Sequence, residues 1–191
     1  MVPDIINLIN GASGFYKNDV ENNIKYIKMN LDYLYGGANN FSVYIQTQAY
    51  VAYSWYVFSV SDWRLSLQNV NNINPSWSYL IVKQYRTVFV PFPSYTYFKI
   101  PDIGPGITED IRLFIYNTIS IYEPFESVCS CDTDSVTKIG GALISKYNQR
   151  WNTVCDASGV TQTIAHTANG LWGTFRPKNC YYTLFVSPID N

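Results

Sequence analysis

Four cysteines, a single histidine and a few paired carboxylates are the residues of this 191-residue chain whose chemistry could go beyond packing. Cys129 and Cys131 lie in "CSCDTDS", Cys155 ends one apolar run and Cys180 begins another. Such a set suits two disulfides in an oxidising setting, a cysteine-rich zinc site, or reduced thiols. Zinc needs four ligands converging on a tetrahedron, and the usual Cys-x-x-Cys knuckles are missing. Disulfides among Cys129, Cys131, Cys155 and Cys180 are therefore the expectation, with Cys155–Cys180 as the favoured pair because each borders a strand. That bridge would close a loop of about 25 residues and stabilise by roughly 3 kcal/mol in the chain-entropy account. Calcium through Asp132 and Asp134 is also conceivable, but the loop lacks the glycine and distal glutamate of an EF-hand. No metal and no cofactor is expected.

Any histidine-dependent catalysis has to use His166, in "TIAHTANG". No Gly-x-Ser-x-Gly elbow or cysteine-protease signature accompanies it, so a structural histidine is expected. Glu109 with Asp110, and Glu123 with Glu126, are the other acidic pairs that could serve glycoside hydrolysis, which needs two carboxylates across the scissile bond. Each lies beside proline or glycine and reads as solvated loop charge. The chain is expected not to be an enzyme.

The elements that would hold these residues are visible in the periodicity. In residues 18–35, Val20, Ile24, Ile27, Leu31 and Leu34 recur at spacings of four, three, four and three, a helical stripe with Asn18 or Asp19 as cap and Gly36–Gly37 as stop. The stripe is short for a coiled coil, but its spacing could also seat a partner helix. Residues 3–9 suggest a short turn or arm before a flexible "NGASG". After Gly37 the period becomes two: Phe41, Val43, Ile45 and Val51 face one way, Gln46 and Gln48 the other, as in a strand with one wet face. Residues 78–92 and 111–122 read as further strands. Prolines at 91, 93 and 101 place the segment between them on an edge or in a loop. "DASG" and "ANG" look like hairpin turns joining strands near 150–155, 160–166, 171–175 and 180–187. The architecture expected is mainly β: an antiparallel β-sandwich, jelly-roll-like, or a barrel, preceded by an N-terminal α-helix. Residues 1–37 would form the arm and helix, and residues 38–191 the β-rich domain.

Composition narrows the function. Only 14% of residues are charged and the net charge is −1, while 17% are aromatic, including 17 Tyr and 5 Trp. A surface so poor in charge favours self-association. The 13 Lys and Arg are scattered, which argues against nucleic acid, whose phosphates need clustered cations. Residues 41–60 are too rich in Ser, Gln and Thr for a transmembrane helix, and "MVPDIINLIN" lacks the positive start of a signal peptide. The uncharged strand region predicts a subunit interface through Tyr50, Trp55, Tyr56 and Phe58, with the helical stripe Val20, Ile24, Ile27, Leu31 and Leu34 as a second candidate. Trp55, Trp63, Trp77, Trp151 and Trp172 exceed ordinary core demand, and amphipathic rings favour interfaces and sugar stacking. The expectation is a non-enzymatic structural protein, an oligomeric assembly or attachment subunit of a virion or an extracellular surface. The alternative is a lectin-like or pore-forming toxin-like module that presents Tyr and Trp to a glycan or cell-surface ligand.

Overall fold

The computed structural model describes residues 1–35, 39–48, 53–56, 63–85, 95–123 and 128–188. Two helices open the chain, α1 (Val2–Tyr16) and α2 (Val20–Tyr35). The α2 stripe forms as its spacing predicts, with Asp19 Oδ1 accepting from Asn22 N at 3.1 Å as an N-terminal cap. α1 runs through "NGASG", because Ile5, Ile9 and Ala12 stack at helical spacing against the same core as Ile24, Ile27 and Leu31. Burial there outweighs the cost of two glycines, about 1 kcal/mol each.

Strands β1 (Asn39–Gln46), β3 (Trp63–Gln68), β4 (Ser78–Tyr85), β5 (Thr96–Lys99) and β7 (Thr161–Ala165) form a first antiparallel sheet in the order β3-β4-β1-β7-β5. Strands β2 (Tyr53–Tyr56), β6 (Arg150–Asp156), β8 (Trp172–Phe175) and β9 (Tyr181–Ser187) form a second in the order β2-β6-β9-β8. Among the described residues neither sheet closes on itself. Two further helices, α3 (Glu109–Tyr122) and α4 (Thr133–Tyr147), cover the second sheet.

Alternation along the strands defines the layers. Phe41, Val43 and Ile45 meet Tyr79, Ile81 and Ile164 beneath α1 and α2. Trp151, Cys155, Tyr182, Leu184 and Val186 lie under α3 and α4. The opposite faces meet each other: Tyr44, Leu80, Val82, Phe98 and Ala165 from the first sheet pack with Val154 and Phe185 from the second. The result is four layers in the order helix, sheet, sheet, helix, a mixed α/β architecture in place of the mainly β one expected.

Two readings change accordingly. Residues 111–122 are a helix: Thr108 Oγ1 accepts from Ile111 N at 3.4 Å as the cap, and Ile115, Thr118 and Ile119 are buried at helical spacing. Of the two glutamines expected on a wet strand face, Gln48 is exposed, but Gln46 is covered by the second sheet and only 6% exposed. Strands β6 to β9 fall where expected, but "DASG" and "ANG" do not make hairpins. Each carries the chain from one sheet to the other, since β7 pairs with β1 and β5 while β6 and β8 pair with β9.

Asp156 shapes the first of these crossings. Its carboxylate accepts from Ser158 N at 2.8 Å, Ser158 Oγ at 2.7 Å, Thr161 N at 3.1 Å, Gln46 Nε2 at 2.8 Å and Thr161 Oγ1. One buried charge thus closes the turn and ties it to β1 in the other sheet, satisfying its own lone pairs as burial requires.

Candidate functional site

All four cysteines are bridged, as Cys129–Cys180 and Cys131–Cys155, with Cα separations of 4.9 and 5.4 Å. The favoured Cys155–Cys180 pair is not the one formed. Cys155 points toward α3 and α4 from β6, and the loop carrying Cys129 and Cys131 crosses directly above it on its way into α4. Each bridge therefore clamps that loop to the second sheet instead of joining two neighbouring strands. The two bridges touch, with Cys129 Sγ and Cys131 Sγ 3.4 Å apart.

His166 has partners that its local sequence does not announce. It is 3% exposed, and Nε2 lies 3.1 Å from the ammonium of Lys28, which is wholly buried on α2. Lys28 Nζ also donates to Asp32 one turn further on. Asp32 Oδ1 accepts from Phe41 N at 3.3 Å, and Oδ2 lies 3.8 Å from His166 Nε2. Burial pushes the Asp32 carboxyl up, but the His166 hydrogen bond and the Lys28 charge outweigh it and hold the group below its usual range. The arrangement ties α2 to the ends of β1 and β7. Lys28 and Asp32 were overlooked in the sequence, although a signal existed: Lys28 stands four residues after Ile24 and three before Leu31, on the buried stripe itself. A lysine in that position requires a buried partner.

The proposed interface residues fall into three groups. Ile24, Ile27 and Leu31 are 0% exposed in the chain's own core, Val20 is half-buried beside them, and Leu34 is exposed. Tyr50 and Phe58 lie outside the described residues. Trp55 and Tyr56 belong to β2, the end strand of the second sheet among the described residues, and their side chains also lie outside the described residues. The solvent side of α2 carries a different apolar row. Tyr26, Met29 and Tyr33 follow at spacings of three and four, with Tyr33 86% and Met29 43% exposed. At its N-terminal end the row joins α1, where Phe15 packs tilted and Tyr16 edge-on against Tyr26 at ring separations of 5.7 and 6.0 Å.

The remaining candidates are engaged locally. Glu109 pairs with Arg112 at 2.6 Å and Asp134 with Lys138 at 2.6 Å, each along its own helix. Asp132 caps α4 by accepting from Ser135 N at 2.9 Å. Glu123 is buried, while Glu126 lies outside the described residues. Trp77 and Trp151 are buried and Trp63 and Trp172 half-buried, so these four rings serve the cores. Between the sheets, Tyr44, Gln46, Leu80, Val154 and Thr161 line a cavity of about 10 Å³, room for one water molecule. No helix among the described residues is long and apolar enough to cross a membrane. Comparison with protein-family models, with curated proteins and with solved structures finds no match.

Proposed function

We propose that the protein is a non-enzymatic structural subunit that assembles with copies of itself through the outer face of α1 and α2. The observation that carries this reading is the row Tyr26, Met29 and Tyr33, extended by Phe15 and Tyr16. Exposed single apolar residues are ordinary, but contiguous rows are typical of interaction sites, and tyrosine, phenylalanine and methionine are the types enriched there. The occupant proposed is a second copy because a net charge of −1 sets up little repulsion between copies. An extracellular or virion-surface setting agrees with two disulfides, which persist where the medium is oxidising.

Sedimentation velocity over a concentration series tests the reading. The parent chain should associate, and Met29→Lys with Tyr33→Lys should return a folded monomer, since both side chains point away from the core. A parent that stays monomeric at high micromolar concentration, or a variant that assembles unchanged, would refute it. The second reading, a glycan- or surface-binding module, draws on the same solvent-open rings. It gains ground if the monomeric parent is retained on glycan arrays or liposomes and the double variant is not.

A further inference from the structure

We infer that Cys129, Cys131, Cys155 and Cys180 form a soft-metal site when reduced, so that the cluster has a disulfide state and a zinc-thiolate state. The four sulfurs all lie within 4.8 Å of one another. A tetrahedral zinc with bonds of about 2.3 Å would space its sulfurs about 3.8 Å apart. The Cys129–Cys131 separation of 3.4 Å is already near that value. Once the two bridges open, the bonded sulfurs part by less than about 2 Å and the widest pair, within 4.8 Å, closes by about 1 Å, shifts on the scale of a side-chain rotation.

The surroundings suit a closed metal centre. Cys131, Cys155 and Cys180 are buried and Cys129 is half-buried, so water is largely kept from the centre while one sulfur gives access.

The conversion balances with a dithiol as reductant. Two dithiol molecules each pass two electrons and two protons to a disulfide and close to cyclic disulfides, leaving four cysteine thiols. One Zn2+ then replaces the four thiol protons, which pass to the buffer. Two molecules of the cyclic disulfide form of the dithiol, each accepting two electrons from the thiolates and two protons from the buffer, restore the two bridges and release the Zn2+.

The test uses the full chain, reduced under anaerobic conditions and freed of reductant by gel filtration. It is titrated with Cd2+, followed by thiolate charge-transfer absorbance, and with Zn2+, followed by native mass spectrometry. The expected result is one metal per chain, protection of all four cysteines from alkylation, and a far-ultraviolet circular dichroism spectrum close to that of the oxidised protein. Cys155→Ser should weaken binding at least tenfold, and by more than Cys129→Ser weakens it, because Cys155 is the more deeply buried. Failure of the reduced chain to bind either metal would overturn the site. So would binding that leaves two or more cysteines open to alkylation, or a reduced chain that unfolds and is not restored by Zn2+. None of these readouts depends on self-association, so the site and the assembly reading stand or fall separately.

Discussion

On the α1–α2 side of the molecule, helices and sheet are joined by polar side chains buried among apolar ones. Lys28, Asp32 and His166 connect α2 to the sheet ends, and Asn71 donates to Ser13 Oγ at 2.6 Å and to Tyr79. On the α3–α4 side the corresponding work falls to covalent bonds, two disulfides that hold the loop before α4 onto β6 and the start of β9. Both layers bury similar aliphatic cores. The difference lies in what each join responds to. A buried ion pair depends on pH and on both partners remaining, because a lone buried charge is costly. A disulfide is indifferent to pH near neutrality but depends on redox potential. One half is therefore sensitive to protons and the other to electrons.

The largest expected effect breaks the covalent half. Reduction in the presence of a metal chelator should cost about 2–5 kcal/mol for each bridge lost. Amide exchange should accelerate in β6, β9 and α4 before it does in β1 and β4. Equal acceleration in both sheets would show that the halves do not differ in this way. Next comes Asp32→Ala, which leaves Lys28 buried without its carboxylate and should cost about 3–5 kcal/mol by chemical denaturation. The combined variant Lys28→Met, Asp32→Leu and His166→Phe should recover much of that loss, since apolar groups of similar volume often replace buried ion pairs without penalty.

A smaller effect follows from acid. The Asp32 carboxyl sits below its ordinary value of 3.8 in the fold, so its contribution is present above that value and is lost as pH falls through the folded one. The parent should therefore lose stability below about pH 4 more steeply than Asp32→Asn, a comparison for thermal melts across that range. Parallel pH curves would remove the titrating group from the account. The smallest effect expected is that of Thr108→Ala, which removes the cap of α3 at a cost of about 1 kcal/mol, with no change in either join.

Much of this comparison was legible in the sequence at the level of elements. The α2 stripe, β1 and the four C-terminal strands follow from apolar periodicity. α3 was misread because Ile111, Leu113 and Ile115 alternate like a strand while Ile111, Ile115 and Ile119 repeat like a helix; the Thr108 cap and the core beneath Ile115 and Ile119 decide for the helix. α4 was hidden behind a polar start, with Val136, Ile139 and Leu143 as its buried row. Periodicity also cannot say what covers a face. Gln46 looks solvent-facing in the sequence, and only the facing sheet tells that Asp156 receives its amide. The disulfide partners and the Lys28–His166 contact were illegible for the same reason, being set by layers that meet across more than twenty residues of sequence in the one case and 138 in the other.

The interleaving of the two sheets has a consequence for the order in which the chain is made. β7 lies between β1 and β5, so the first sheet stays split until residue 165 has been synthesised. β9 lies between β6 and β8, so the second waits for residue 187. At about 5–20 residues per second, a nascent chain carries the open edge of β1 for several seconds after that strand has emerged. During that interval the row of unpaired amides and carbonyls on β1 can be taken by the β1 of a neighbouring ribosome's product. Crowding on one messenger is thus the condition under which this topology is most exposed to mispairing, and slower initiation should raise the yield of the correctly folded chain.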